Sequence, residues 1–122
     1  MKISVFGNPD LANDKAALKL IPWLKQKYPG AEVKVEDPSE GLLPAADWII
    51  VDVCQGIKQL TEFTDLDQFS AVRRVSVHDY DLITELKLLK KLGQIKKLTI
   101  LAVPVDFQEV GGAGHAGIVG PD

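Results

Sequence analysis

Residues 48–52 read Trp-Ile-Ile-Val-Asp, a continuous apolar run closed by one carboxylate. A strand that faces water on one side alternates apolar and polar residues, whereas one covered on both faces reads as unbroken Val, Ile and Leu. Residues 48–51 therefore predict a central strand of a parallel sheet, with Asp52 immediately after it. Leu98 to Val103 is a second fully apolar run and predicts a second covered strand.

Working outward, Ile3-Ser4-Val5-Phe6 is short and β-rich and is closed by Gly7-Asn8-Pro9, so it predicts a strand ending in a turn. From Asn13 or Asp14 to Tyr28, the residues Ala17, Leu18, Leu20, Ile21, Leu24 and Tyr28 recur at helical spacing. Pro22 interrupts that helix with a kink or a restart, because it lacks the amide that would bond to Leu18. Pro29-Gly30 stops it. Glu32 to Glu36 alternates charged and apolar residues and predicts a half-exposed outer strand. Gln55 to Ser70 is polar and predicts a loop with a short helical turn, and Arg73 to Val77 a short strand. From Asp79 to Leu92, Leu82, Ile83, Leu86, Leu89 and Leu92 trace an amphipathic helix, with Lys90 and Lys91 in its last turn and Gly93 as its cap.

Strands alternating with helices, two of the strands continuously apolar, predict an α/β fold: a three-layer, mostly parallel twisted sheet of about five strands with helices on both faces. The chain of 122 residues suits one domain, assigned to residues 1–110. Residues 111–122 hold five glycines among small residues and predict a flexible tail.

Composition narrows the function. A formal net charge of −3 gives no electrostatic footprint for nucleic acid, and no apolar run approaches the roughly 20 residues that span a bilayer. A single cysteine, Cys54, excludes an intramolecular disulfide and a CxxC metal knuckle, and the expectation is a reducing, cytoplasmic setting. There is no P-loop, no G-x-G-x-x-G, no H-E-x-x-H and no G-x-S-x-G elbow.

Ligands of open parallel sheets bind beyond the carboxyl ends of the strands. Three polar residues fall just after predicted strands: Asp14 after the first, Asp52 after the central one, and His78 after Arg73–Val77. Two carboxylates and an imidazole on one rim suit a divalent transition metal such as nickel, zinc or cadmium, with coordination positions left open for substrate or water. Each also has a plainer use: Asp14 as a helix cap, Asp52 as an acceptor for loop amides, His78 as a cap or packed loop residue. Asp79 and Asp81 read as first-turn acids that favour the helix dipole, Cys54 as a buried inert thiol, and His115 as a solvated residue of the tail.

The segments GNPDLAND (7–14), WIIVD (48–52), SVHDYDLITELKLL (76–89) and LTILAVPVDFQE (98–109), in this order, resemble the hydrogenase maturation proteases. The resemblance runs from residue 1 to about 109. These endopeptidases remove a C-terminal extension from the large-subunit precursor of [NiFe]-hydrogenase. The resemblance implies that Asp14, Asp52 and His78 are the catalytic and nickel-contacting residues. It also implies that nickel arrives with the substrate, as the sign that metal insertion is complete, with zinc or cadmium able to stand in for it in vitro. The chain departs from the family pattern in two loops. Asn13 stands where the family usually has a first acid, and Asp37-Pro38-Ser39-Glu40-Gly41 stands where it has a glycine-rich loop. Two alternatives remain open on sequence: a non-catalytic module of the same fold that checks nickel loading, and a generic nucleotide-binding α/β domain.

Overall fold

The computed structural model describes residues 1–6, 15–37, 40–54, 57–72 and 77–104. Its elements run β1 (Lys2–Phe6), α1 (Lys15–Leu18), α2 (Ile21–Lys27), β2 (Glu32–Glu36), β3 (Asp47–Cys54), β4 (Thr61–Phe63), α3 (Leu66–Val72), α4 (Val77–Lys91) and β5 (Lys97–Pro104). The strands form one sheet in the order β2-β1-β3-β5-β4, parallel except for β4, which pairs antiparallel with β5.

The α/β expectation holds, and the reason lies in β3. Successive side chains of a strand point to opposite faces. Trp48, Ile50 and Cys54 enter a core that includes Leu66 and Phe69 of α3 and Leu82, Ile83 and Leu86 of α4. Ile49, Val51 and Val53 enter a second core with Ala17 of α1, Leu20, and Leu24 of α2. The sheet is thus buried on both sides, which is why residues 48–51 show no alternation. β2, at the edge, is half exposed, as its charged–apolar alternation predicts.

Pro22 does restart the helix. α1 stops at Leu18, a turn closes with Leu20 N–H on Ala17 O at 3.1 Å, and α2 begins at Ile21 with the proline in its first turn. There the missing N–H has no intrahelical acceptor to lose. α4 ends in a Schellman motif: Gly93 N–H donates to Lys90 O at 3.1 Å and Gln94 N–H to Leu89 O at 3.0 Å, with Gly93 at φ +79°.

Three expectations need correction. The central strand runs two residues past Asp52, to Cys54, so Asp52 lies within β3 rather than after it. The polar stretch from Gln55 to Ser70 holds an edge strand, β4, and most of α3. A three-residue strand cannot display a period, and it is stabilised by pairing with β5 rather than by its own sequence. The strand expected at Arg73–Val77 does not exist as drawn, because Val77 opens α4; residues 73–76 lie outside the described residues. The 111–122 tail lies outside them too.

α3 is capped by Asp65, whose Oδ1 accepts the Asp67 N–H at 2.8 Å. Asp67 accepts in turn from Lys87 Nζ on α4 at 2.7 Å. The hydrogen bond and charge of that ammonium hold the Asp67 carboxyl below its ordinary pKa. A depressed acid stabilises the fold above its unfolded-state pKa and ceases to as pH falls through the folded one. Because the pair is exposed, its contribution is small. Lys87→Met is expected to lower Tm slightly at pH 7, and the difference from wild type should shrink as pH falls and Asp67 becomes protonated in the folded state. Leu86→Ala, which empties a fully buried site between α4 and the sheet, should cost about 2–5 kcal/mol by urea unfolding. Gly93→Ala should cost about 1–2 kcal/mol for its left-handed backbone alone.

Candidate active site

The site follows from how the chain leaves its two central strands. From β1 it travels through α1 and α2 to β2, on one side of the sheet. From β3 it travels through α3 and α4 to β5, on the opposite side and in the opposite direction along the sheet. Right-handed crossovers require this combination. Where two neighbouring strands send their chains opposite ways, a crevice opens beyond their carboxyl ends. Here it lies between β1 and β3.

Asp52 stands at that point. It is one residue beyond Val51, which pairs with Val5, so it sits level with Phe6, the last residue of β1. Between Trp48 and Cys54 it is the only charged residue and the only one not buried. The alternation of β3 puts it on the same face as Ile50 and Cys54, the face covered by α3 and α4. Its neighbour in β5 is Ala102, whose small side chain leaves room beside the carboxylate. Cys54, two residues on, is buried, with its Sγ 3.7 Å from Asp52 O.

The same face leads to the start of α4. After that helix, five residues return the chain to β5, and the Lys96 and Lys97 N–H groups both donate to Ala46 O, at 2.9 and 2.8 Å, just before β3 begins. The C-terminus of α4 is thereby tied to the amino edge of the sheet. A 15-residue helix is about 22 Å long, close to the length of an eight-residue strand. α4 therefore begins at the carboxyl edge, on the side of the sheet that Asp52 faces.

His78 is the second residue of α4, and the structure describes its backbone only. It comes to this edge at a helix start, where the sequence also places it, although Val77, expected to close a strand before it, already belongs to α4. Asp14 lies outside the described residues; Lys15, which follows it, opens α1. Among the described residues no three His, Cys, Asp or Glu side chains are gathered closely enough to hold a metal ion. Of the three candidates, Asp52 is thus the one whose side-chain environment is defined.

Sequence reasoning missed a chain of polar groups that locks the strands flanking the crevice. The Trp48 Nε1–H of β3 donates to Ser4 Oγ of β1 at 2.8 Å, and the Ser4 hydroxyl donates to Glu36 Oε1 of β2 at 3.1 Å. Lys2 Nζ pairs with the same Glu36 oxygen at 2.8 Å and donates to Leu43 O at 2.7 Å, so the 40–46 segment is tied down across this face. Lys2 also lies 5.8 Å from the centre of the Trp48 ring. Ser4 and Trp48 are fully buried, and no buried side-chain polar atom among the described residues lacks a partner. The available signal was Ser4 itself, a hydroxyl inside an otherwise apolar strand, which has to find a partner when buried.

This arrangement defines a doubly wound α/β domain with its crevice between β1 and β3 and a carboxylate at the crevice's edge. Solved structures share the fold. The [NiFe] hydrogenase maturation protease HybD from Thermococcus kodakarensis superposes with a TM-score of 0.58 at 19% identity, covering 96% of this chain and 84% of its own. HybD from E. coli, a hydrogenase maturating endopeptidase, gives 0.58 at 20% identity, with 97% and 79% covered. The solution structure of an endopeptidase from Escherichia coli gives 0.59 at 21%, with 99% and 80% covered. No protein-family model matches the sequence, and no curated protein does either. At these identities the likeness establishes the fold.

The polar chain predicts a coupled response. Ser4→Ala leaves Trp48 Nε1–H buried without an acceptor and should destabilise by about 1–3 kcal/mol. Combining it with Trp48→Phe, which removes the orphaned donor, should cost less than the sum of the two single changes. The double-mutant cycle by urea unfolding checks it.

Proposed function

We propose that this protein is an endopeptidase that trims the C-terminal extension from the precursor of a [NiFe]-hydrogenase large subunit once nickel has been inserted. The observation that carries this reading is Asp52: a partly buried carboxylate among the buried residues 48–54, at the crevice of a fold shared with hydrogenase maturation endopeptidases. The ordered sequence segments that resemble that family support the same reading.

Nickel enters as part of the substrate, held chiefly by the precursor's own cysteines. Asp14, Asp52 and His78 offer two oxygen donors and one imidazole, a set that suits this borderline-soft ion. Their contact fixes the scissile peptide over the strand ends. Positioning of this kind supplies a large share of the rate, up to about 7–11 kcal/mol of the barrier. Water is then activated either by one of the carboxylates as general base or by its proximity to the ion. A precursor without nickel lacks the anchor, so it is left uncut.

The test is incubation with nickel-loaded and nickel-free precursor, read by intact mass. Shortening of the loaded precursor alone supports the protease. A complex with the loaded form and no shortening supports the non-catalytic sensor, and no interaction with either form overturns both. Asp52→Asn should reduce cleavage by about 100-fold or more. Nickel or cadmium alone should raise the Tm of wild type and not that of Asp52→Ala, since a ligand bound only to the folded state stabilises it.

A further inference from the structure

β2 ends the sheet, and among the described residues only β1 pairs with it. Its sequence, Glu-Val-Lys-Val-Glu, carries information about what its outer edge can accept. The Glu32 N–H donates inward to Met1 O at 3.1 Å, so by strand alternation the backbone groups of Glu32, Lys34 and Glu36 serve β1. Those of Val33 and Val35 point outward. Glu32 and Lys34 are exposed on one face, 2.8 Å apart as an ion pair. Val35 is 50% exposed on the other.

We infer that this edge pairs antiparallel with β2 of a second copy of the chain, about a two-fold axis through Val33. In that register the outward amide and carbonyl of Val33 exchange hydrogen bonds with their own symmetry mates, and the Val35 N–H donates to Ala31 O of the second copy; the Ala31 N–H is already given to Tyr28 O at 3.0 Å. Glu32 falls directly opposite Lys34 of the second copy, and Lys34 opposite Glu32, giving two cross-strand pairs of opposite charge on one face. On the other face Val33 meets Val33 and Val35 meets Ala31, which covers the exposed apolar edge. The neighbouring registers are discouraged. Centring on Lys34 sets Lys34 against Lys34 and Glu32 against Glu36, all repulsive. Centring on Val35 asks for Glu36, whose carboxylate is already turned inward to Ser4 and Lys2. Edge strands usually carry charges that repel self-association; this one carries charges that complement it in one alignment. The carboxyl-edge crevice and Asp52 lie on β1 and β3, so this pairing stands apart from the proposed peptidase site.

The experiment is sedimentation equilibrium of the full chain over a wide concentration range at low and high salt. The expected mass rises from 13.3 kDa toward twice that value with concentration, and less steeply at high salt. Lys34→Glu sets Glu against Glu at both cross-strand positions and should weaken the dimer by about tenfold or more. The exchanged variant, Glu32→Lys with Lys34→Glu, restores opposite charges and should restore the dimer. Circular dichroism melts confirm that both variants, altered only at exposed positions, stay folded. A chain that remains monomeric throughout overturns the inference, as does a dimer indifferent to Lys34→Glu or one that the exchange fails to rescue.

Discussion

The constraint on which the rest depends is that β3 is buried from both sides. A strand in that position can expose nothing polar to water along its length, so its backbone groups are satisfied by β1 and β5 and its side chains feed two separate cores. Each core then recruits its own helices: α1 and α2 on one face, α3 and α4 on the other. Two helical layers force the chain to leave β1 and β3 in opposite directions, and that divergence creates the crevice. Seen this way, a carboxylate at position 52 is an exception to the rule that shapes the strand. It lies level with Phe6, where β1 ends, and is the one residue between Trp48 and Cys54 that is not buried.

The polar chain from Trp48 through Ser4 to Glu36 and Lys2 serves the same geometry by other means. α3 and α4 cover the β3 and β5 side of their face, while the 40–46 segment, tied by Lys2 to Leu43 O, crosses nearer β1. An indole N–H under that segment would be stranded without the Ser4 hydroxyl, and the hydroxyl proton would be stranded without Glu36. Directional bonds across three strands also oppose a register slip, which would turn every side chain of a strand to the wrong face. The strands that flank the crevice are therefore held in register by packing and by hydrogen bonds whose geometry admits little variation.

What the sequence disclosed and what it withheld divide along physical lines. The strands expected at 3–6, 32–36, 48–51 and 98–103 were legible because burial on two faces, or on one, leaves a pattern in hydrophobicity that needs no knowledge of the partner. α4 was legible from its leucine spacing and its glycine stop, and the break at Pro22 from the missing amide. β4 was not legible, since three residues paired to β5 owe their conformation to a neighbour about 40 positions away. The end of β3 was misread because Asp52 looks like a stop signal, whereas Val53 and Cys54 continue the ladder opposite Val103 and Pro104. For the candidate site, the sequence marked Asp52 as an oddity at the right edge and placed His78 where a strand hands over to a helix; the structure describes the helix start, and Val77 belongs to it.

The place of His78 at a helix start bears on the backbone around it. On a strand end an imidazole is held by loop backbone alone. In the first turn of a 15-residue helix it lies among amides that have no intrahelical acceptor, in a region of partial positive charge. The start of α4 and the Asp52 level of β3 are rigid backbone elements, and their relative position is fixed by the leucines of the shared core. An opening between two such elements can admit a ligand without having to fold around it, because packing has already set its width.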